Sequence, residues 1–311
     1  MCCRNWLDYL RASGRGETKK TRILIDAKDL INVVEHGTPV SAGDFDFFLR
    51  DNNASLALTH TNVCEFVAPI SKSRDFLSIR PFLQRIEALP VCYLREPSVP
   101  AEEIIAALDG FTKGCEPQPI NPYVPRWDYT FHLIGPAPAA QIVGYRLDEI
   151  VYDLFREYPQ AFEGYASKAP FLRQQFAEDR KLSANIRKDL VGNFVETFRR
   201  YQKQWNLNYG DVDVDAFGRW IYENPARCPG LRLSYDVRHE ILANPGDIPS
   251  DSDIPDFAHL FAIPYVEAAT IDRRMMHYFQ TVTERLQKIN PAIQYDRQTY
   301  RNIDDLMKAL P

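Results

Sequence analysis

Arg22-Ile-Leu-Ile-Asp26 is a short apolar run that stops abruptly in a carboxylate, and the residues after it change period. Leu30, Ile31, Val33 and Val34 recur at helical spacing, and Gly37 follows as a stop. The stretch reads as a buried strand, an acid at the junction, and a helix. The same grammar returns twice. Ser55-Leu-Ala-Leu-Thr59 is a second apolar run, followed by a helix from Asn62 through Val63, Phe66 and Val67 that carries Glu65. Tyr265-Val-Glu-Ala-Ala-Thr-Ile271 is another strand, ending in Asp272 before a helix over Met275 to Ile289.

Working outward, a helix is predicted through Phe45, Phe48 and Leu49, with Asn52-Asn53 as its stop. Another runs from Phe76 to Leu89, broken or restarted at Pro81, and Val91-Cys-Tyr-Leu94 is a third strand. Strands alternating with helices predict an α/β fold, a parallel central sheet flanked by helices on both faces. After Arg95 the pattern changes. Gly114 to Pro138 is rich in proline and aromatics, Ala139 to Trp205 is helical in period, and Val214 to Tyr222 reads as a helix. Helices at Leu231 to Leu242, Ile254 to Ile263 and Ile303 to Leu310 complete the chain. The expected organisation is an α/β core split in sequence, residues 21–95 and 231–311. A mainly helical insertion over 96–230 interrupts it, and residues 1–20 form an N-terminal extension.

Composition narrows the function. The chain has 311 residues, 45% hydrophobic and 25% charged, which suffices for a sizeable core. A net charge of -5 argues against a wholly basic nucleic-acid binder but not against a local basic patch. Cys2, Cys3, Cys64, Cys92, Cys115 and Cys228 make no Cys-x-x-Cys pair and no zinc spacing with histidine. Scattered cysteines, no secretory h-region in Met1 to Arg15, and no apolar run of membrane length make a cytoplasmic, non-membrane protein the expectation.

In an open parallel sheet the carboxyl ends of the strands face one crevice, where ligands bind. Asp26, Glu65 and Asp272 all fall at such ends. Asp256 lies in the first turn of the helix from Ile254, with His259 one turn further on. Each acid has a plain structural explanation. Asp26 and Asp272 sit where a helix cap belongs, and Asn62-x-x-Glu65 has the form of a capping box. Asp253, two residues before Pro255, is better explained as a cap than Asp256. As a set, however, acids crowded at one sheet edge repel unless a cation neutralises them. Oxygen donors without histidine or cysteine partners point to Mg²⁺ or Mn²⁺ rather than zinc.

The set Asp26, Thr59-x-Thr61-Asn62-x-x-Glu65-Phe66, Asp256-x-x-His259 and Thr270-x-Asp272 resembles the pattern of the PIN-like metal-dependent nucleases. The resemblance covers about Thr21 to Arg95 and Leu231 to Tyr278, and the middle of the chain exceeds a minimal domain of that family. It implies a hydrolase: an endoribonuclease that binds Mg²⁺ or Mn²⁺ through Asp26, Glu65, Asp256 and Asp272 and cleaves phosphodiester bonds. RNA stands ahead of DNA as the expected partner, and a toxin or defence effector is one context that fits. Whether Glu267, at the start of the last strand, or Asp253 joins the site is open at this level, as is a homo-oligomer or a regulatory partner.

Weaker candidates for substrate contact are His259, Arg273, Arg274, Arg187, Lys188, Arg199 and Arg200. The last four lie in a basic stretch, Ser167 to Trp205, interleaved with Phe171, Phe176, Phe194, Phe198, Tyr201 and Trp205. Bases and phosphates can be held by such groups, but an amphipathic helix with aromatics in the core is the simpler reading of the aromatics. Asp29 suits a first helical turn as well as a site rim. The competing function is a catalytically inactive PIN-like scaffold that binds RNA or a protein partner, which would have no need of all four acids. A phosphohydrolase with an Asp-x-Asp nucleophile pair is disfavoured because Ala27-Lys28 follows Asp26, and no Gly-rich phosphate loop is present.

Overall fold

The structure is a computed structural model that describes residues 20–124 except 74, residues 146–157, 174, 178, 189–204, and 207–310 except 245 and 248–252. Six strands form one sheet: β1 (Thr21–Leu24), β2 (Ala54–Thr59), β3 (Val91–Leu94), β4 (Tyr123–Val124), β5 (Ala268–Thr270) and β6 (Thr299–Tyr300). Their order is β4-β3-β2-β1-β5-β6, and every pairing is parallel except β3 with β4. β1 therefore has a partner on each side, Ile23 pairing with Leu56 of β2 and with Ala268 of β5. The strand order reverses between β1 and β5, which is where an open parallel sheet opens a crevice at its carboxyl edge.

Side chains alternate across the strands and divide the core between two faces. Ile23, Ile25, Leu56 and Leu58 point to one face. There they pack with α1 (Ala27–Ile31), α2 (Ala42–Asp51), α3 (His60–Ser73), α4 (Phe76–Ala88), α6 (Leu147–Glu157) and α12 (Ile303–Ala309). Leu24, Ala57, Leu94 and Ala269 point to the other. They meet the start of α5 (Val99–Lys113) together with α9 (Pro229–Ala243), α10 (Asp253–Ala262) and α11 (Arg273–Ile289). A third cluster, with no strand residue, joins α5 and α9 to α7 (Leu190–Gln204) and α8 (Val214–Glu223) through Ile104, Phe194, Phe198, Phe217, Ile221 and Leu231. Phe194 and Phe198 are thus core residues.

The stretch 96–230 is mainly helical where it is described, but it is not set apart from the sheet. β4 closes one edge, Tyr93 pairing with Val124, and Leu147, Ile150 and Val151 of α6 are buried with the sheet's first face. Pro81 lies within an unbroken α4. It is half-way along a helix otherwise held by Phe76, Ile79, Phe82, Leu83 and Ile86 on one buried face. Among the described residues no helix is long and apolar enough to cross a membrane.

A buried acid holds a helix start from a distance. Glu103 of α5 accepts hydrogen bonds from the backbone N–H groups of Gly230 and Leu231, at 2.7 and 2.9 Å, and from the Tyr265 hydroxyl. Those N–H groups belong to the first turn of α9, which has no internal acceptor for them. Burial pushes the Glu103 carboxyl up to about 7 against the effect of these donors. Gly230 is required by the same packing, because a Cβ there would lie 2.6 Å from the carbonyl oxygen of Phe261 at the end of α10.

Candidate functional site

Each strand at the switch point leads directly into a helix whose first turn brings a carboxylate to the same edge. Asp26 caps α1, its Oδ1 accepting from the Lys28 N–H at 2.8 Å. Asp272 caps α11, its Oδ1 accepting from the Met275 N–H at 2.7 Å. Both acids are therefore helix caps, yet each uses one oxygen only, and no hydrogen bond to a described residue engages the second. Glu65 is not part of a capping box. α3 begins at His60, ahead of Asn62, and the Glu65 side chain turns away from the helix start to meet His259, Oε2 to Nε2 at 3.3 Å.

Asp256, on the first turn of α10, faces the other three. Burial raises its carboxyl from an ordinary 3.8 to about 8; the His259 charge opposes this, and repulsion from Asp272, Asp26 and Glu65 adds to it. Three acids from three separate elements are thus close enough to Asp256 to disfavour its ionisation. His259 answers from the same helix. Burial works against its imidazolium, but the hydrogen bond and charge of Glu65, with Asp26 and Glu96 beyond, hold its pKa up to about 9. His259 is thus the base that faces Glu65 and Asp256 among the described residues.

A second layer ties the strand ends together. The Thr270 hydroxyl accepts from the Asp26 N–H at 2.8 Å, linking β5 to the end of β1. Asn62 Nδ2 donates to the Ile25 carbonyl at 3.1 Å, linking α3 to the residue before Asp26. The Asn62 Oδ1 accepts from the Thr59 N–H and hydroxyl. Asp29 accepts from the Ile303 N–H and the Thr270 hydroxyl; burial first, and then the charge of Asp26, raise it to about 6.

The remaining candidates are placed as follows. Arg274 is committed to Asp247, Nε to Oδ2 at 3.1 Å, and to the buried Asp253, so it joins Asp247 to the first residue of α10. Asp253 is thereby an ion-pair partner on the first turn of α10, not a free ligand. Glu267 lies at the opposite end of β5, where its Oε2 accepts from the Arg22 N–H at 2.8 Å. Arg273 is exposed beside Asp272. Arg199 pairs with Glu196 and Asp215, and Arg200 lies 3.9 Å from Glu196, both on α7 in the third cluster. Arg187, Lys188, Phe171, Phe176 and Trp205 lie outside the described residues.

The sequence reading overlooked Glu96. It is completely buried and accepts from the His60 N–H at 2.8 Å, the Thr61 N–H at 2.6 Å and the Thr61 hydroxyl at 2.6 Å. An acid two residues past Leu94, the end of a buried strand, is the same signal that singled out Asp26 and Asp272.

The donor chemistry of Asp26, Glu65, Asp256 and Asp272 fits a hard divalent cation: oxygen only, anionic, and drawn from four elements. Among the described residues no three acidic, histidine or cysteine side chains already stand in one coordination shell. Asp272, Asp26 and Glu65 act on Asp256 through their charges. Compared with models of protein families, with curated proteins and with solved structures, the chain matches none.

Proposed function

We propose that the protein is a divalent-cation-dependent nuclease that hydrolyses phosphodiester bonds, with RNA as the substrate class and Mg²⁺ or Mn²⁺ held by Asp26, Glu65, Asp256 and Asp272. The observation that carries the reading is that Asp26 and Asp272 cap the helices following β1 and β5 at the switch point, while Asp256 feels the charges of Asp272, Asp26 and Glu65. A fold needs caps at helix starts but has no use for placing Asp256 where its ionisation is opposed by three other carboxylates. A cation bound there would polarise a phosphoryl oxygen and lower the pKa of an attacking water.

The chain's own residues prepare for that. Thr270 and the Lys28 N–H fix Asp26. The Met275 N–H fixes Asp272. His259 orients Glu65 and offsets part of the negative charge, so that the crevice can be built in a folded protein before any substrate arrives. Arg273, exposed next to Asp272, and Lys28, exposed two positions after Asp26, are described cations at this edge that a phosphate could meet. The pattern of acids similar to the PIN-like nucleases supports the same reading, and supports RNA ahead of DNA.

Asp26→Asn and Asp272→Asn test it. Asn caps a helix about as well as Asp, so both variants should fold and keep their helix starts while cleavage of structured and unstructured RNA in Mg²⁺ or Mn²⁺ is lost. Undiminished cleavage by Asp26→Asn, or cleavage indifferent to chelator, would leave both acids as caps and nothing more. Absence of cleavage by the parent on any RNA or DNA would favour the alternative of a binding scaffold.

A further inference from the structure

Glu96 stands at the end of β3, is fully buried, and spends both carboxylate oxygens on the first residues of α3. The usual reason for such an arrangement is to satisfy the orphan N–H groups of a helix start. A neutral side chain could do this at lower cost, since burying a carboxylate is expensive. α3 already has neutral groups in that role: the Thr59 hydroxyl accepts from the Asn62 N–H at 3.0 Å, and Asn62 returns the contact. What Glu96 adds is rigidity at one residue. It holds both the N–H and the hydroxyl of Thr61, and Thr61 lies four residues before Glu65, on the same face of the helix. Its charge also reaches His259, whose imidazole bonds Glu65 from the other side.

We infer that Glu96 is a positioning residue: it locks the first turn of α3 to the end of β3 and so sets where the Glu65 carboxylate stands in the acidic crevice. This rests on the reading of that crevice as a cation site. The role is that of an outer partner holding a ligand, whose loss typically weakens metal binding by about 10- to 100-fold.

The test measures Mn²⁺ binding to the full chain from the loss of the free-ion EPR signal, well below the melting temperature of each variant. Glu96→Gln preserves the shape but presents an amide donor to donors already in place. It should weaken Mn²⁺ binding by about 10-fold or more, and RNA cleavage should recover toward the parent's limiting rate at high Mn²⁺. Thr61→Val is close to isosteric and removes only the hydroxyl that Glu96 accepts. It should shift Mn²⁺ affinity in the same direction by less, and it carries the test alone if Glu96→Gln does not fold. A lowered melting temperature with parental Mn²⁺ affinity would overturn the inference and leave Glu96 as a structural cap. Failure of the parent itself to bind Mn²⁺ would overturn the cation reading and this inference with it.

Discussion

Asp256→Asn should make the protein more stable, and increasingly so as pH rises. The Asp256 carboxyl is raised from 3.8 to about 8, chiefly by burial and then by Asp272, Asp26 and Glu65, with His259 opposing. A raised acid contributes stability that is fully present below its unfolded pKa and is lost as pH rises through its folded pKa. The window here is therefore about pH 4 to 8. At 1.36 kcal/mol per unit the full shift corresponds to about 5–6 kcal/mol. Asp256 retains some solvent contact and the neighbouring carboxylates can stand further apart, so we take about 2 kcal/mol as the realised difference. Asn carries no charge and escapes it. The assay is thermal unfolding in chelator from pH 4.5 to 8.5. The melting temperature of Asp256→Asn minus that of the parent should start near zero and grow by roughly 4 °C or more. With Mn²⁺ at about 100 times its Kd, the parent should gain about 2.7 kcal/mol, and the variant clearly less. Because the cation must displace the Asp256 proton, Mn²⁺ affinity should fall by up to about 10-fold for each pH unit below 8. A difference flat across pH, or a variant less stable than the parent at pH 8, would refute the reasoning that places four carboxylates in one field.

Other expectations follow from single contacts. Glu103→Gln should shift stability relative to the parent in its own favour between pH 4.5 and 7, by up to about 3 kcal/mol, since burial raises Glu103 to about 7; urea titrations at pH 5 and 8 measure this. Arg232→Met removes the nearer of two guanidinium partners of the buried Asp236, 3.1 Å from its Oδ2 against 3.6 Å for Arg285, and should cost about 1–3 kcal/mol without changing Mn²⁺ affinity, read by denaturant unfolding and EPR. Gly230→Ala drives a methyl group against the Phe261 carbonyl and should cost about 1–3 kcal/mol; the shift of α9 against α10 should also show as reduced Mn²⁺ binding, through Asp256.

The strand, acid and helix units were legible because each is local. β1, of four residues, and β5, of three, are each followed two positions on by an Asp that caps the next helix. β4 and β6 have two residues each at the sheet edges, too short to carry an apolar run. The capping box expected at Asn62 failed for a long-range reason. Glu96 and the Thr59 hydroxyl satisfy the N–H groups of the first turn of α3, which leaves Glu65 free to face His259 across the crevice. Asp253, at the start of α10, also pairs with Arg274, 21 positions away. Arg274 suits a phosphate clamp or a solvated helix position equally by its local sequence, and no local pattern reveals its partner Asp247. In each case the deciding partner is distant in sequence, beyond the reach of local spacing.

The central place of β1 has a further consequence for when the crevice can exist. β1 and β2 meet early in the chain, but Asp26 is fixed by Thr270, 244 positions later, and Asp272 lies beyond that. At translation speeds of about 5–20 residues per second, roughly 12–50 seconds separate the emergence of the first acid from that of the last. Until then the first half of the sheet has an open edge where β5 will pair, and the acids are divided between the emerged and the unmade chain. The edge at which Asp26, Glu65, Asp256 and Asp272 meet is therefore a late product of synthesis: Asp26 stays without its Thr270 partner until the chain has been made past position 270.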